Sequence, residues 1–104
     1  MDKDALKKRI QEWATRMAVS TNEIHIRAMK SKWASVSTDG RLTMDSSIID
    51  LREGLCDYII VHELLHLKVR NHGKLFKSLM HVYLPEWEEL ERELGAVLKG
   101  RLLN

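Results

Sequence analysis

Cysteine is almost absent from this chain of 104 residues. Cys56 stands alone, so no disulfide can form within the chain, and nothing indicates a secreted disulfide scaffold. A cytoplasmic setting is the expectation. Long apolar runs are missing as well: no stretch approaches the roughly 18 to 20 residues of a membrane-spanning helix. The opening MDKDALKKRI carries charges where a secretory signal needs an apolar segment, so a soluble, unprocessed chain with no membrane partner is expected. Charge of one sign is lacking too. Lys and Arg number 17 against 15 Asp and Glu, and a formal +2 does not by itself point to nucleic acid. No repeat, low-complexity tract or flexible linker appears. A chain of this length suits one domain, residues 1–104, with a modest core.

What is present is periodic. Leu6, Ile10, Trp13, Ala14 and Met17 recur at helical spacing between Lys7, Lys8, Glu12 and Arg16, which predicts an amphipathic helix from about Lys3 to Val19. Ser20, Thr21 and Asn22 break that pattern. Ile24, Ile26 and Ala28 then alternate with His25, Arg27 and Met29 as in a half-buried strand. Two further strands, Trp33 to Thr38 and Arg41 to Met44, flank Asp39-Gly40, a dipeptide suited to a tight hairpin turn. Three short antiparallel strands are thus expected after the first helix.

Asp50 with Glu53 three positions on fits an N-cap, and a helix is expected from about Leu51 to Arg70. Its apolar residues occupy most of the circumference, leaving mainly Glu53, Asp57 and Lys68 for solvent, so it belongs at the centre of the fold. Asn71 and Gly73, both tolerant of left-handed backbone, mark its end. A shorter helix from about Lys74 to Tyr83 and a last one from Glu86 to Leu103 follow. The last has Pro85 near its start, Glu86, Glu88 and Glu89 in its first turns, and Lys99 and Arg101 near its end.

The polar residues inside the central helix carry the chemistry. His62-Glu63-Leu64-Leu65-His66 is an H-E-x-x-H sequence. Two imidazoles at i and i+4 project from one helix face and can meet one zinc ion, with Glu63 placed to reach an activated water. A catalytic zinc site usually takes three protein ligands and leaves one position open. His72, six residues beyond His66, is the candidate third ligand if Asn71 and Gly73 bend the chain back. That spacing matches H-E-x-x-H-x-x-G-x-x-H, except that Val69 stands where the turn glycine would be, so the turn must differ. The implied reaction is metal-assisted peptide hydrolysis with Glu63 as general base. Tyr83 and His81 are weaker candidates for assisting the oxyanion.

Plainer readings compete. A histidine pair on an amphipathic helix can be no more than a hydrogen-bonded core feature. Glu86, Glu88, Glu89 or Glu91 offers an alternative carboxylate third ligand, although helix-start electrostatics explains those acids more simply. Cys56 reads as a small core residue, Trp13, Trp33 and Trp87 as packing anchors, and His25 as surface. Lys68, Arg70, Lys74 and Lys77 form a basic cluster near the site, suited to steering DNA or an acidic substrate if it is more than a solvated face.

From Lys32 onward the chain resembles the YgjP-like metallopeptidase family, relatives of the SprT-like zinc proteases in the zincin group. The resemblance rests on Tyr58-Ile59-Ile60-Val61-His62-Glu63-Leu64-Leu65-His66-Leu67 followed by Asn71-His72 and Phe76, and on Tyr83-Leu84-Pro85-Glu86-Trp87. Lys32-Trp33-Ala34-Ser35-Val36-Ser37 resembles the family's basic-Trp-Gly-Ser-Cys-Ser strand, with Ala34 and Val36 in place of its glycine and cysteine. The resemblance implies zinc ligands His62, His66 and His72, a catalytic Glu63, a protein or peptide substrate, and a strand that lines the cleft. The expected fold is α+β: a minimal zincin-like domain with an N-terminal helix, a small antiparallel-rich sheet, the central HExxH helix and C-terminal helices. The expected function is zinc-dependent peptide hydrolysis; the alternative is a non-enzymatic zinc-stabilised module that binds protein or DNA.

Overall fold

The computed structural model describes residues 1–97. Its first helix, α1 (Lys3–Met17), buries Leu6, Ile10, Trp13, Ala14 and Met17, the stripe expected from their spacing. Asp2 caps it, accepting from the Ala5 amide at 2.8 Å. It stops two residues before the expected Val19, because Ala18 turns into the left-handed region and its N–H closes back on Ala14 and Thr15 carbonyls.

Three strands follow, β1 (Glu23–Arg27), β2 (Ala34–Val36) and β3 (Arg41–Asp45), in the spatial order β1-β3-β2. The expectation of an all-antiparallel set is corrected here. β2 and β3 form the antiparallel hairpin, but β1 lies parallel to β3 on the far side, Glu23 against Arg41 and Arg27 against Asp45. Alternation within a strand reports which face is buried and is blind to strand direction, so the sequence pattern could not separate the two arrangements. The hairpin turns at Gly40, whose φ is +93°. Its amide donates to the Ser37 carbonyl at 3.1 Å, and Arg41 and Ser37 resume the ladder. A Cβ at Gly40 would also stand 3.1 Å from the Asn22 amide nitrogen and 3.3 Å from the Ser20 carbonyl, so glycine is required twice over.

A 3-10 turn, Ser46–Asp50, which the periodicity did not indicate, joins the sheet to the central helix. Buried Asp45 organises this junction. Its carboxylate accepts from the Met29 amide at 2.7 Å and from the Ser47 amide at 3.2 Å, with the Ser47 hydroxyl as a further donor. Asp50 is therefore not the N-cap of the helix that follows. That helix, α2 (Glu53–Leu65), begins after Arg52, whose side chain makes no capping bond.

α2 sits at the centre, in contact with α1, β2, α3 (Lys74–Tyr83) and α4 (Trp87–Val97). Ten of its residues are buried, including Tyr58, Ile59, Ile60, His62 and Glu63. Of the three residues expected at its solvent side, Glu53 and Lys68 are exposed and Asp57 is half-buried. Asp57 is instead bound by Arg9 through two bonds of 2.6 and 2.8 Å and by the Trp13 indole N–H at 2.9 Å, which fixes α1 against α2. Arg52 pairs with Glu93 and ties the start of α2 to α4. α2 ends at Leu65, five residues short of the expected Arg70, and α4 is described only as far as Val97. The expected run to Leu103, with Lys99 and Arg101, lies outside the described residues. No helix among the described residues is long and apolar enough to cross a membrane. The architecture is α+β, with four helices and a small mixed sheet.

Candidate metal centre

The end of α2 builds the site. His62 lies in the last turn and His66 is its C-cap residue, still in right-handed helical conformation. The chain then leaves the helix in a tight turn, with the Leu67 amide bonded to Leu64 and the Lys68 and Val69 amides both bonded to Leu65. Stopping the helix here is what brings His72 back. In a continued helix, six residues would carry it about 9 Å along the axis and far round the face.

Asn71 and Gly73 do not act through left-handed backbone as expected. Gly40 and Ala18 are the only described residues with positive φ, and Gly73 has φ −78° and ψ −162°. Asn71 instead accepts from the Gly73 amide through its side-chain carbonyl at 3.1 Å, a local turn around His72. A Cβ on Gly73 would stand 3.0 Å from that same oxygen, so the close approach explains the glycine. α3 starts immediately after it.

The three imidazoles converge. His62 Nε2 lies 3.3 Å from His66 Nε2 and 3.3 Å from His72 Nε2, and His66 and His72 Nε2 are 3.1 Å apart. Four tetrahedral ligands held about 2.0 to 2.1 Å from a metal lie about 3.3 to 3.4 Å from one another, so this triangle has the dimensions of three corners of such a site. His66 Nδ1 lies 3.2 Å from the Val69 carbonyl, which can only accept, so Nδ1 carries the proton and Nε2 presents its lone pair to the group. Val69, the residue that replaces a turn glycine, thus fixes the tautomer of a candidate ligand. His62 is buried, His66 half-buried and His72 exposed, so the group opens to solvent on one side.

Beneath it lies Phe76 on α3, 3 % exposed, with its ring centroid 5.1, 4.8 and 4.9 Å from those of His62, His66 and His72. This apolar floor holds the rings edge-on or tilted and keeps solvent from their inner side. In the sequence Phe76 was visible only through the family resemblance. Its spacing marks it merely as a core residue of α3.

Glu63, next to His62, is fully buried. One turn earlier Tyr58, 1 % exposed, stacks 5.8 Å from His62 and donates its hydroxyl to Glu91 of α4 at 2.8 Å. Burial, the hydrogen bond to Glu91 and the negative charges of Glu91 and Glu63 all push the phenol pKa upward, so Tyr58 stays neutral. Glu91 is therefore engaged with Tyr58, while the metal-capable group found among the described residues contains His62, His66 and His72 and no glutamate of α4. The carboxylate alternative for the third ligand finds no support in this placement. His81 is exposed on α3 and Tyr83 half-buried against the core; neither joins the group or lines the cleft beside it. Trp13 and Trp33 are buried, and Cys56 is fully buried with its thiol against the Ile48 carbonyl at 3.0 Å. Burial pushes that thiol up to about 11, as befits a core residue.

A cleft of about 250 Å³ opens beside His66, walled by Val36, Ser37 and Thr38 on one side and by Leu67 and Arg70 on the other. β2, which supplies the start of the first wall, is an edge strand with β3 on one side only.

Three comparisons place this arrangement among known proteins. The YgjP-like metallopeptidase domain matches residues 2–96. An uncharacterized protein of Methanocaldococcus jannaschii is 33% identical over 102 residues, spanning 89% of this chain and 93% of its own. The crystal structure of the metallopeptidase zymogen of M. jannaschii jannalysin superposes with a TM-score of 0.77 at 30% identity, covering 86% of this chain and 92% of that one. The zymogen of Pyrococcus abyssi abylysin gives 0.78 at 24% identity, covering 94% and 99%, and shares the fold.

Proposed function

The chain belongs to the YgjP-like metallopeptidase family, and we propose that it hydrolyses peptide bonds with a zinc ion held by His62, His66 and His72 and with Glu63 as general base. The observation that carries this reading is the Nε2 triangle of 3.1 to 3.3 Å on an H-E-x-x-H helix with a buried glutamate beside it. Three imidazoles form a donor set suited to zinc, which takes nitrogen ligands tetrahedrally and in catalytic sites leaves a fourth position open. Bound there, zinc would supply Lewis acidity, lowering the pKa of water towards neutrality and polarising the scissile carbonyl.

This chain's own residues do the rest. Glu63 takes the proton of the attacking water at a side-chain oxygen and returns it to the amine nitrogen as the C–N bond breaks. The Val69 carbonyl prevents the His66 ring from rotating or changing tautomer, and Phe76 holds all three rings from below. The free edge of β2 next to the cleft offers backbone groups to which an extended substrate can pair, as strands in this position do in zincins. The unit is read as one catalytic domain in a cytoplasmic setting, where Cys56 stays a buried thiol.

The test is metal content together with hydrolysis of an unstructured protein, measured before and after limited proteolysis because both superposed relatives are zymogens. Near-stoichiometric zinc, lost affinity in His66→Ala, and retained zinc with lost hydrolysis in Glu63→Gln are expected. Zinc-free protein from a chelator-free preparation refutes the reading. A Glu63→Gln protein that keeps every measurable function but unfolds on metal removal identifies a structural zinc module instead.

A further inference from the structure

We propose that the cleft beside His66 is a subsite for a carboxylate on the substrate, with Arg70 as the residue that selects it. This rests on the peptidase reading above and names the substrate class for the same site. Four basic residues crowd this part of the sequence, Lys68, Arg70, Lys74 and Lys77, and the structure separates them. Only Arg70 lines the cleft that His66 also lines; Lys68 lines an adjoining depression, and Lys74 and Lys77 on α3 line neither.

The remaining walls contain no competing charge. Val36 and Leu67 are apolar, Ser37 and Thr38 carry hydroxyls, and no acidic residue is among them. The Ser37 hydroxyl is engaged with Asp39 and with the backbone of Arg41, whereas among the described residues Arg70 has neither an ion pair nor a hydrogen-bond partner. An unpaired, exposed guanidinium on the wall of a cleft shared with Val36, Leu67 and His66 presents planar donors to a carboxylate, with water screening that keeps the expected preference modest.

Position fixes where that carboxylate sits on the substrate. A peptide paired along the edge of β2 passes between Val36 and His66, so a side chain entering the cleft belongs to the residue at the scissile bond or a near neighbour. The adjoining depression shares Thr38 and Leu67 and contains both Lys68 and Asp39, so its charges oppose each other and add no second preference. At about 250 Å³ the cleft is smaller than the roughly 300 to 1,000 Å³ of drug-sized pockets and suits one or two side chains rather than a nucleic-acid duplex. The carboxylate can come from an Asp or Glu side chain or from a peptide C-terminus.

The test measures binding, so that it stands apart from turnover. Zinc-loaded full-length Glu63→Gln is titrated into fluorescein-labelled decapeptides with a central Glu, Gln or Lys, each with a free or amidated C-terminus, and followed by anisotropy. The Glu peptide should bind about 5- to 10-fold tighter than the Gln peptide, the range for a partly exposed charge pair. The preference should shrink as salt rises from about 50 to about 300 mM. Arg70→Gln should abolish it and Arg70→Glu should reverse it towards Lys, whereas Lys74→Gln and Lys77→Gln should leave it intact. A preference that follows the free C-terminus rather than the central residue supports the same subsite and assigns its source. Equal binding of all peptides, a preference that survives Arg70→Gln, or displacement of the Glu peptide by duplex DNA overturns the proposal. The peptidase reading fails separately, on zinc content and on the Glu63 dependence of hydrolysis.

Discussion

Removing the metal should cost this protein a measurable part of its thermal stability, and the size of the loss follows from where the three histidines lie. His62 and His66 sit at the end of α2, and His72 lies just before α3, so an ion held by all three would join two helices through the turn between them. An ion that binds the folded chain alone adds about 2.7 kcal/mol when its free concentration is 100 times its dissociation constant. For 104 residues the unfolding entropy is about 0.2 kcal/mol/K, so the midpoint should rise by about 12 °C. His72→Ala removes one corner of the triangle. If affinity falls 100-fold or more, the same zinc concentration adds at most about 0.4 kcal/mol, a shift of about 2 °C. His81→Ala, on the exposed side of α3, should keep the full shift. Differential scanning calorimetry of the three proteins, with zinc and then with excess chelator, gives all of these values. A wild-type shift below about 3 °C, or an equal shift in wild type and His72→Ala, refutes the reasoning that the Nε2 triangle is a metal site.

Other perturbations test the supporting structure. Phe76→Leu keeps an apolar side chain but removes the ring that touches all three imidazoles, and should weaken zinc binding by about 10- to 100-fold in chelator competition, as loss of an outer-shell partner does. Asp57→Ala should destabilise by about 2 to 4 kcal/mol in urea unfolding, because it leaves the Arg9 guanidinium without its bidentate partner in a half-buried site. Arg9→Met in the same chain should recover part of that loss. Gly40→Ala should cost about 1 to 3 kcal/mol, since it imposes both a positive φ and a contact with the Asn22 backbone. The raised Cys56 pKa means that the folded chain holds its proton more tightly than the unfolded one. Its contribution is therefore intact below about pH 9 and is lost as pH climbs towards 11, so Cys56→Ala should flatten urea stability across that alkaline window.

Legibility in the sequence tracked how local each cause is. α1 and α3 were readable almost to the residue because a single buried face sets their period, and the burial of Leu6, Ile10, Trp13, Ala14 and Met17 follows that period. Strand direction was not readable. β1 could pair with β3 in either sense without changing which side chains face the core; in the parallel arrangement observed, the segment after Arg27 is bound to the end of β3 through the Met29 amide and Asp45. Asp45 itself looks like an ordinary strand-end acid with a local turn to Ser47; its wider role emerges only when Met29, sixteen residues away, meets it. The same applies to Asp57, which a helical wheel assigns to solvent until α1 covers it with Arg9 and Trp13.

The candidate site shows the same division within a few residues. His62, Glu63 and His66 were legible because an i, i+4 pair with a glutamate beside the first histidine needs only a helix to become a chemical arrangement. His72 needed a helix end, and the apolar pattern through Leu67 and Val69 argues for continuing the helix to Arg70. The structure resolves that conflict by breaking the helix at His66, with Val69 still packed on the core and its carbonyl bonded to the His66 ring. The apolar residues that extend the pattern are thus the ones that hold the turn in place, and the short segment they anchor carries Arg70 to the cleft and His72 to the other two histidines. A substitution that restores helix here, such as Gly73→Ala combined with Asn71→Ala, removes the side-chain turn and its close contact together. It should therefore reduce zinc affinity more than it reduces stability, because the core contacts of Val69 remain while the third imidazole is no longer held in place. Loss of stability with zinc affinity unchanged would show that the Asn71–Gly73 turn does not position His72.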